Sequence, residues 1–118
     1  MIKIKRGEIW LINFGKKYHS EFGKIRPALV IQTNLINNIL DKIVFKGVTV
    51  IPLTTNLTGG DLRVLIKRRD RLEKDSEICI NELCTVDISR FIGEKPLTIL
   101  SQNEIEEVNQ KLKFHLAL

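Results

Sequence analysis

The sequence predicts a mainly β domain that ends in one helix, arranged as a small, curved antiparallel barrel or sheet with the helix packed on it. Short β-branched and apolar runs recur along most of the chain, separated by segments that contain glycine, proline or asparagine. Only the C-terminal segment has a helical pattern. The 118 residues are enough for one core but not for two, so we expect a single domain over 1–118.

Five segments have the composition of β-strands. They are residues 8–14, 27–34, 43–54, 62–66 and 77–88. Pro27 opens the second segment, and because proline cannot donate a ladder hydrogen bond, we expect it at a strand start or on an edge strand, not in a central strand.

The segments between the strands are polar or rich in turn residues. The polar segment 15–25 contains two glycines and predicts a mobile loop. Residues 34–42 fit either a short helical turn or a loop. Gly59 and Gly60 predict a turn within 56–61.

The C-terminal helix is predicted over residues 101 to about 116. Ser101 and Glu104 form a capping-box pattern, in which each side chain accepts from the backbone amide of the other residue. Ile105, Val108 and Leu112 then recur at spacings of three and four, which places them on one helix face.

The composition excludes several protein classes. The apolar fraction of 43% and the charged fraction of 28% are those of an ordinary globular chain. No apolar run approaches the roughly 20 residues of a membrane span. The N-terminus, "MIKIKRGEIW", alternates charged and apolar residues and does not resemble a signal or transit peptide. We therefore expect a cytoplasmic protein without a membrane partner.

The residues that metal centres and covalent catalysis use are scarce. The chain has two histidines, His19 and His115, and two cysteines, Cys79 and Cys84. The cysteines lie five positions apart in one predicted strand, which puts them on opposite faces and indicates two reduced structural thiols. There is no glycine-rich phosphate loop and no paired metal-ligand pattern, so no metal and no cofactor are expected.

The positive charge is unevenly distributed. The net charge is +5, and five basic residues lie between Lys67 and Lys74. Lys16, Lys17, Lys24 and Arg26 surround the predicted loop. This pattern is a weak indication of an anionic partner such as nucleic acid, and for the first cluster alone solvated surface charge is the simpler explanation.

Two short polar groups are candidates for a site. Ser20, Glu21 and Arg26 lie in or beside the loop, and Thr54, Thr55 and Asn56 follow a predicted strand. Most of them also have a simple structural explanation as loop charges, turn caps or strand ends. Arg26 is the exception, because the following proline favours an extended backbone and a guanidinium there can lie over a sheet face and bind phosphate.

Four sequence blocks resemble the MazF/PemK-like toxins of bacterial toxin–antitoxin pairs. They are "RGEIWLINF", "SEFGKIRPALVIQTN", "VTVIPLTTN" and "KDSEICINELCTVDISRF". The resemblance implies an SH3-like barrel, a homodimer, and sequence-specific, metal-independent cleavage of single-stranded RNA. It also implies a cognate antitoxin whose acidic, disordered tail covers the RNA groove.

The resemblance also implies roles for individual residues. Arg26 would act on the scissile phosphate, Thr54 would help to hold it, and Ser20 would complete the catalytic group. The ribose 2′-hydroxyl would attack, which leaves a 2′,3′-cyclic phosphate and a 5′-hydroxyl. The residues expected to contact RNA are Lys17, His19, Glu21, Lys24, Thr55 and Asn56, and the basic run after Ile66 would widen the positive surface.

The chain departs from the family pattern at three places. His19 stands where a small residue is more common, and it is either a general base, with an ordinary pKa near 6.5, or an incidental loop residue. Glu82 and Cys84 replace an amide and an arginine, which alters contacts with RNA or with a second subunit. The segment 34–44 is longer than is common, which affects the RNA sequence that is recognised.

Two other functions fit the same fold. A toxin of this fold that poisons DNA gyrase would act chiefly through its C-terminal helix and would not need Arg26 and Thr54. A catalytically silent RNA-binding barrel would bind RNA with a steep salt dependence and cleave nothing.

Overall fold

The computed structural model describes residues 1–15 and 24–118. In this part of the chain there are eight strands and two α-helices. The strands are β1 Glu8–Asn13, β2 Ile25–Val30, β3 Gly47–Thr54, β4 Arg63–Ile66, β5 Ser76–Cys79, β6 Cys84–Asp87, β7 Phe91–Ile92 and β8 Thr98–Ile99, and the helices are α1 Asn34–Asn37 and α2 Gln102–Leu116.

The strands form one antiparallel sheet in the order β4-β5-β3-β2-β1-β7. Strand β6 adds to β3, and β8 adds to β1. The terminal strands of this order, β4 and β7, do not pair with each other in the described ranges, so the sheet is not closed. The predicted class of a mainly β domain with a C-terminal helix is confirmed, whereas the word barrel describes this sheet only approximately.

Strand β3 changes its partner in the middle of its length. Residues 47–50 pair with β6, and Leu53 and Thr54 pair with β5. Pro52 lies between the two pairings and faces neither β5 nor β6. Its lack of an amide hydrogen therefore costs no hydrogen bond on that side of the strand. The proline therefore marks the point where the sheet divides.

Pro27 differs from its predicted placement because it lies inside β2, between β1 and β3. It pairs with Leu11 of β1, but pairing with β3 begins only at Ala28. At Pro27 the strand is thus still an edge on the β3 side, where a missing amide donor costs little. As a result β2 begins at Ile25, two residues before the predicted start, and it includes Arg26.

The central strands are buried on both faces. Alternate residues point to opposite sides of a strand. Leu29, Ile51 and Leu53 belong to a core that also contains Val108 of α2, here called the helix-side core. The intervening residues join Trp10 in a second core on the other face, here called the tryptophan-side core. Its strand residues are Trp10, Ile12, Ala28, Val30, Val48, Val50 and Phe91.

The predicted strand 77–88 is wrong as a single element. A 3₁₀ turn at Ile80–Glu82 divides it into β5 and β6, and α2 packs against this turn. Cys79 and Cys84 therefore lie on different strands and not on opposite faces of one strand. Both are free cysteines, as predicted.

The other boundaries agree with the predictions to within a few residues. The ambiguous segment 34–42 contains α1 and a 3₁₀ turn at Leu40–Lys42, and β3 begins at Gly47, four residues after the predicted start. Strands β7 and β8 were not predicted, since each has only two residues. The predicted loop 15–25 falls largely on 16–23, outside the described residues.

The C-terminal helix is held at its first turn by both polar and charged contacts. Ser101 and Glu104 form the predicted capping box. The Glu104 carboxylate also accepts two hydrogen bonds of 2.7 Å from the Arg69 guanidinium, which donates further to Thr98 Oγ1. Arg69 of the basic run is thus used to join the sheet to α2. No helix in the described ranges is long and apolar enough to cross a membrane.

Candidate active site

Arg26 and Thr54 lie on adjacent strands, each two residues past the last residue pair of the ladder between β2 and β3. Ala28 is paired with Pro52 in the antiparallel ladder of β2 and β3. Continuing this register by two residues aligns Arg26 with Thr54. Both positions have the same parity as the residues of the tryptophan-side core, so the two residues share one face of the sheet. Arg26 and Thr54 are 28 positions apart in the sequence, and the fold brings them to adjacent strands.

The strands on either side extend this row. Arg26 is paired with Ile12 of β1, and Thr54 is paired with Glu77 of β5. Arg26 and Thr54 are half-buried, whereas Ile12 and Glu77 are buried. The row therefore runs from an apolar side chain through a cation and a hydroxyl to a buried carboxylate.

The hydroxyl of Thr54 has a defined orientation. Its Oγ1 accepts a 3.1 Å hydrogen bond from the backbone amide of Asn56. A threonine hydroxyl has one hydrogen to donate, and this hydrogen has no acceptor among the described residues. Thr54 is thus able to donate to an anionic ligand while its oxygen stays anchored.

The carboxylate of Glu77 holds the loop that follows Thr54. Its Oε1 accepts from the amide of Thr58 at 3.0 Å, and its Oε2 accepts from the amide of Gly59 at 2.9 Å. Arg63 Nη1 lies 3.0 Å from Glu77 Oε1 and 3.3 Å from the carbonyl oxygen of Asn56. We call Glu77 and Arg63 together the loop clamp.

The charged groups of the clamp and of Arg26 all act on the thiol of Cys79. Burial raises the pKa of the Cys79 thiol, and Arg63, Glu82, Glu77 and Arg26 all act electrostatically on it. Arg26 and the clamp therefore share one electrostatic neighbourhood. The raised pKa keeps the thiol neutral near pH 7, which makes Cys79 a poor nucleophile.

The residues that flank the segment 16–23 are joined by backbone hydrogen bonds close to Arg26 in the sequence. Lys24 donates its amide to the carbonyl of Gly15 at 2.5 Å, and its own carbonyl accepts from the Phe14 amide at 2.7 Å. Lys24 has a φ of 66°, which a non-glycine residue adopts mainly in tight turns. Arg90 donates to the carbonyl of Asn13 at 3.4 Å and adds a cation at this base.

The predicted site residues divide into two groups. The structure describes Lys24, Arg26, Thr54, Thr55 and Asn56, and it brings Thr54, Thr55 and Asn56 to the strand end beside Arg26. Lys24, Thr55 and Asn56 are exposed. Lys17, His19, Ser20 and Glu21 lie outside the described residues.

Sequence reasoning missed three residues around this site: Arg63, Glu77 and Arg90. Only Glu77 is marked by a sequence pattern. It lies inside the apolar run "SEICI", and a carboxylate that is buried requires hydrogen-bond donors. Arg63 and Arg90 lie on strands and turns whose proximity depends on the topology, which no local pattern reveals. Within the described ranges, no group of three or more histidine, cysteine or acidic residues is arranged to hold a metal ion.

The ionisation of Glu77 predicts how the free energy of unfolding depends on pH. Burial raises the pKa of Glu77, but the hydrogen bonds from Thr58, Gly59 and Arg63 outweigh burial and leave the pKa below its usual value. Because the pKa is lower in the folded chain, the carboxylate stabilises the fold above about pH 4.3, the unfolded value, and the contribution disappears as the pH falls through the folded pKa. Glu77→Gln should reduce the free energy of unfolding by about 1–3 kcal/mol near pH 7.

Urea unfolding followed by circular dichroism over a series of pH values tests this prediction. The difference between wild type and Glu77→Gln should shrink as the solution becomes acidic, since the wild-type side chain then also becomes neutral. Glu73→Gln, at an exposed position, is the matched control and should change little at any pH. A difference for Glu77→Gln that is the same at all pH values would contradict the role of the ionised carboxylate.

Known proteins share this fold and this sequence pattern. A family model for the PemK-like, MazF-like toxin of type II toxin-antitoxin systems matches residues 5–116. A curated protein, Endoribonuclease MazF of Staphylococcus epidermidis, is 27% identical over 118 residues, which are 98% of this chain and 92% of that protein.

Solved structures give the same result for the fold. The crystal structure of MazF (Form-I) from Deinococcus radiodurans superposes with a TM-score of 0.79 at 20% identity and covers 100% of both chains. An endoribonuclease in complex with its cognate antitoxin, from a mycobacterial species, has a TM-score of 0.74 at 17% identity and covers 98% of this chain and 96% of that chain. The resemblance seen in the four sequence blocks is confirmed, and the chain belongs to the PemK-like, MazF-like toxins of type II toxin–antitoxin systems.

Proposed function

We propose that this chain is an endoribonuclease toxin that cleaves single-stranded messenger RNA at specific sequences in the cytoplasm, without a metal ion. The observation that carries this proposal is the register of β2 and β3, which, continued by two residues, brings Arg26 opposite Thr54 on one face of the sheet. A guanidinium and a hydroxyl donor side by side form a site for a phosphate group. The relative from Staphylococcus epidermidis is itself named as an endoribonuclease, which supports the same activity.

The reaction we propose is an attack within the RNA chain. The ribose 2′-oxygen forms a bond to phosphorus while the bond from phosphorus to the 5′-oxygen breaks. The 2′-hydroxyl loses its proton and the 5′-oxygen gains one, which leaves a 2′,3′-cyclic phosphate and a 5′-hydroxyl. Negative charge grows on the non-bridging oxygens in the transition state, where hydrogen-bond donors are most effective.

Each catalytic residue has a separate task in this scheme. Arg26 neutralises the charge that develops on the phosphate, and Thr54 donates its hydroxyl hydrogen to a non-bridging oxygen. Ser20 adds a further donor. Arginine is a poor general base because its guanidinium stays protonated at neutral pH. His19 is a candidate base, because its ordinary pKa of about 6.5 allows it to accept a proton near neutral pH.

The surrounding polar residues would bind the rest of the RNA. Lys24, Thr55 and Asn56 are exposed beside the site. We assign them to RNA binding together with Lys17 and Glu21. In the basic run 67–74, Arg69 is used by the fold, whereas Lys67, Arg68 and Lys74 are exposed and add to the positive surface.

We further propose that the chain acts as a homodimer and is inhibited by an antitoxin with an acidic tail. The net charge of +5 and the cations around Arg26 favour an acidic peptide, and one structural neighbour was solved with its cognate antitoxin. Light scattering should give a mass near twice 13.6 kDa. A monomer at micromolar concentration would contradict the dimer.

Replacement of Arg26 tests the catalytic proposal. Arg26→Ala should lower kcat/KM for RNA cleavage by about 10²–10³-fold, because removal of one transition-state donor typically costs this much. Lys95→Ala, which removes an exposed cation that has no role in the proposed site, is the control and should cleave within about threefold of wild type.

The reaction products distinguish the alternatives. With EDTA present, a defined RNA should yield 2′,3′-cyclic phosphate and 5′-hydroxyl ends, and a 2′-deoxy nucleotide at the cleaved position should block the reaction. An Arg26→Ala variant as fast as wild type would refute the mechanism. RNA binding without turnover would indicate the silent barrel, and gyrase-linked DNA breaks without RNA cleavage would indicate the gyrase poison.

A further inference from the structure

We infer that Glu77 and Arg63 are positioning residues for RNA cleavage, which act by fixing the loop after β3 so that the Thr54 hydroxyl points at the phosphate. This inference rests on the proposed function. Neither residue needs to touch RNA in this role. They act through three backbone groups of the loop, at Asn56, Thr58 and Gly59.

The contacts form a continuous chain from the buried carboxylate to the hydroxyl. Glu77 Oε1 binds Arg63 Nη1 at 3.0 Å. The same nitrogen lies 3.3 Å from the Asn56 carbonyl oxygen. The Asn56 amide in turn donates to Thr54 Oγ1 at 3.1 Å, which sets where the hydroxyl hydrogen is able to point. A displacement of Arg63 would therefore reach Thr54 through two hydrogen bonds, and a displacement of Glu77 would reach it through three.

Other contacts to the loop are at its C-terminal end, where the Gly60 carbonyl accepts from the Arg63 amide at 3.2 Å and the Asp61 carbonyl accepts from Lys111 Nζ at 3.3 Å. Every residue from Thr55 to Asp61 is exposed. A Cβ added at Gly59 or Gly60 would meet no atom within 4 Å, so nothing packs against the loop at these positions. A loop without packing contacts samples many conformations unless hydrogen bonds restrict it. The clamp supplies hydrogen bonds to the first and middle parts of this exposed segment, at Asn56, Thr58 and Gly59.

Glu77 is suited to hold the loop but not to transfer a proton. It is 5% exposed, and its two oxygens already accept from two amides and one guanidinium. Its lowered pKa keeps it ionised, so it has no proton to give at neutral pH. A glutamine at this position would place its NH₂ group against donors, which leaves at least one of them without an acceptor.

A double-mutant cycle with Thr54 separates positioning from general stability. In the wild-type background, Glu77→Gln should lower kcat by about tenfold, because a small displacement of a catalytic donor is costly. In a Thr54→Val background, the same substitution should change kcat by less than about twofold, because the hydroxyl that it positions is already absent. Measurements below the unfolding transition of each variant keep all chains folded.

Glu104→Gln is the matched control for loss of an ion pair. It breaks the pair with Arg69 at the start of α2, so it also removes a partly buried carboxylate with guanidinium contacts. It should lower the unfolding temperature and leave kcat unchanged. Equal losses of kcat for Glu77→Gln in both Thr54 backgrounds, or none in either, would overturn the inference.

Amide hydrogen exchange measured by NMR tests the clamp without RNA. The amides of Thr58 and Gly59 donate to different oxygens of Glu77, so at least one of them should exchange at least about tenfold faster in Glu77→Gln, and both should stay unchanged in Glu104→Gln. Unchanged exchange in Glu77→Gln would refute the clamp. If the wild-type chain does not cleave RNA, the proposed function and the catalytic role of the clamp both fail, and the exchange rates still show whether Glu77 holds the loop.

Discussion

The antiparallel register between β2 and β3 is the constraint on which the rest of the site depends. Three residue pairs fix it, and all six residues are buried. A slip by one residue would move every buried side chain of these strands to the other face of the sheet, so the two cores enforce this register. The same register aligns Arg26 with Thr54. The apolar packing of the paired residues of β2 and β3 therefore fixes the positions of Arg26 and Thr54.

The two prolines in these strands make the arrangement possible. Pro27 lies where β2 is not yet paired with β3, and Pro52 lies where β3 changes from β6 to β5. Each occupies a position where no ladder donor is missing. Beyond these prolines Arg26 and Thr54 replace the apolar side chains on the face of the tryptophan-side core, whereas Leu53 on the other face is still buried. The site thus occupies the end of a rigid sheet, and its remaining parts come from loops, of which the one after β3 is restrained by a buried carboxylate.

Much of the fold followed from local patterns, whereas the supporting residues of the site did not. The capping box at Ser101 and the apolar stripe of α2 depend on neighbouring positions, so the sequence predicted both. Arg26 and Thr54 were found through the order of sequence blocks shared with a family. The break at Ile80–Glu82 was hidden, because apolar residues continue on both sides of it and α2, which packs against the turn, lies more than 15 residues further along the chain. Arg63 contacts a loop that lies earlier in the chain, and no periodicity marks such a contact.

The central claim is that Arg26 and Thr54 act on the same phosphate. A double-mutant cycle of Arg26→Ala and Thr54→Val on the cleavage rate of one defined RNA measures this directly. If both groups stabilise one transition state, the loss in the double variant should fall short of the product of the two single losses by about tenfold or more, which corresponds to a coupling free energy of about 1.4 kcal/mol. Single losses that multiply would show that the two residues act independently and would contradict the account.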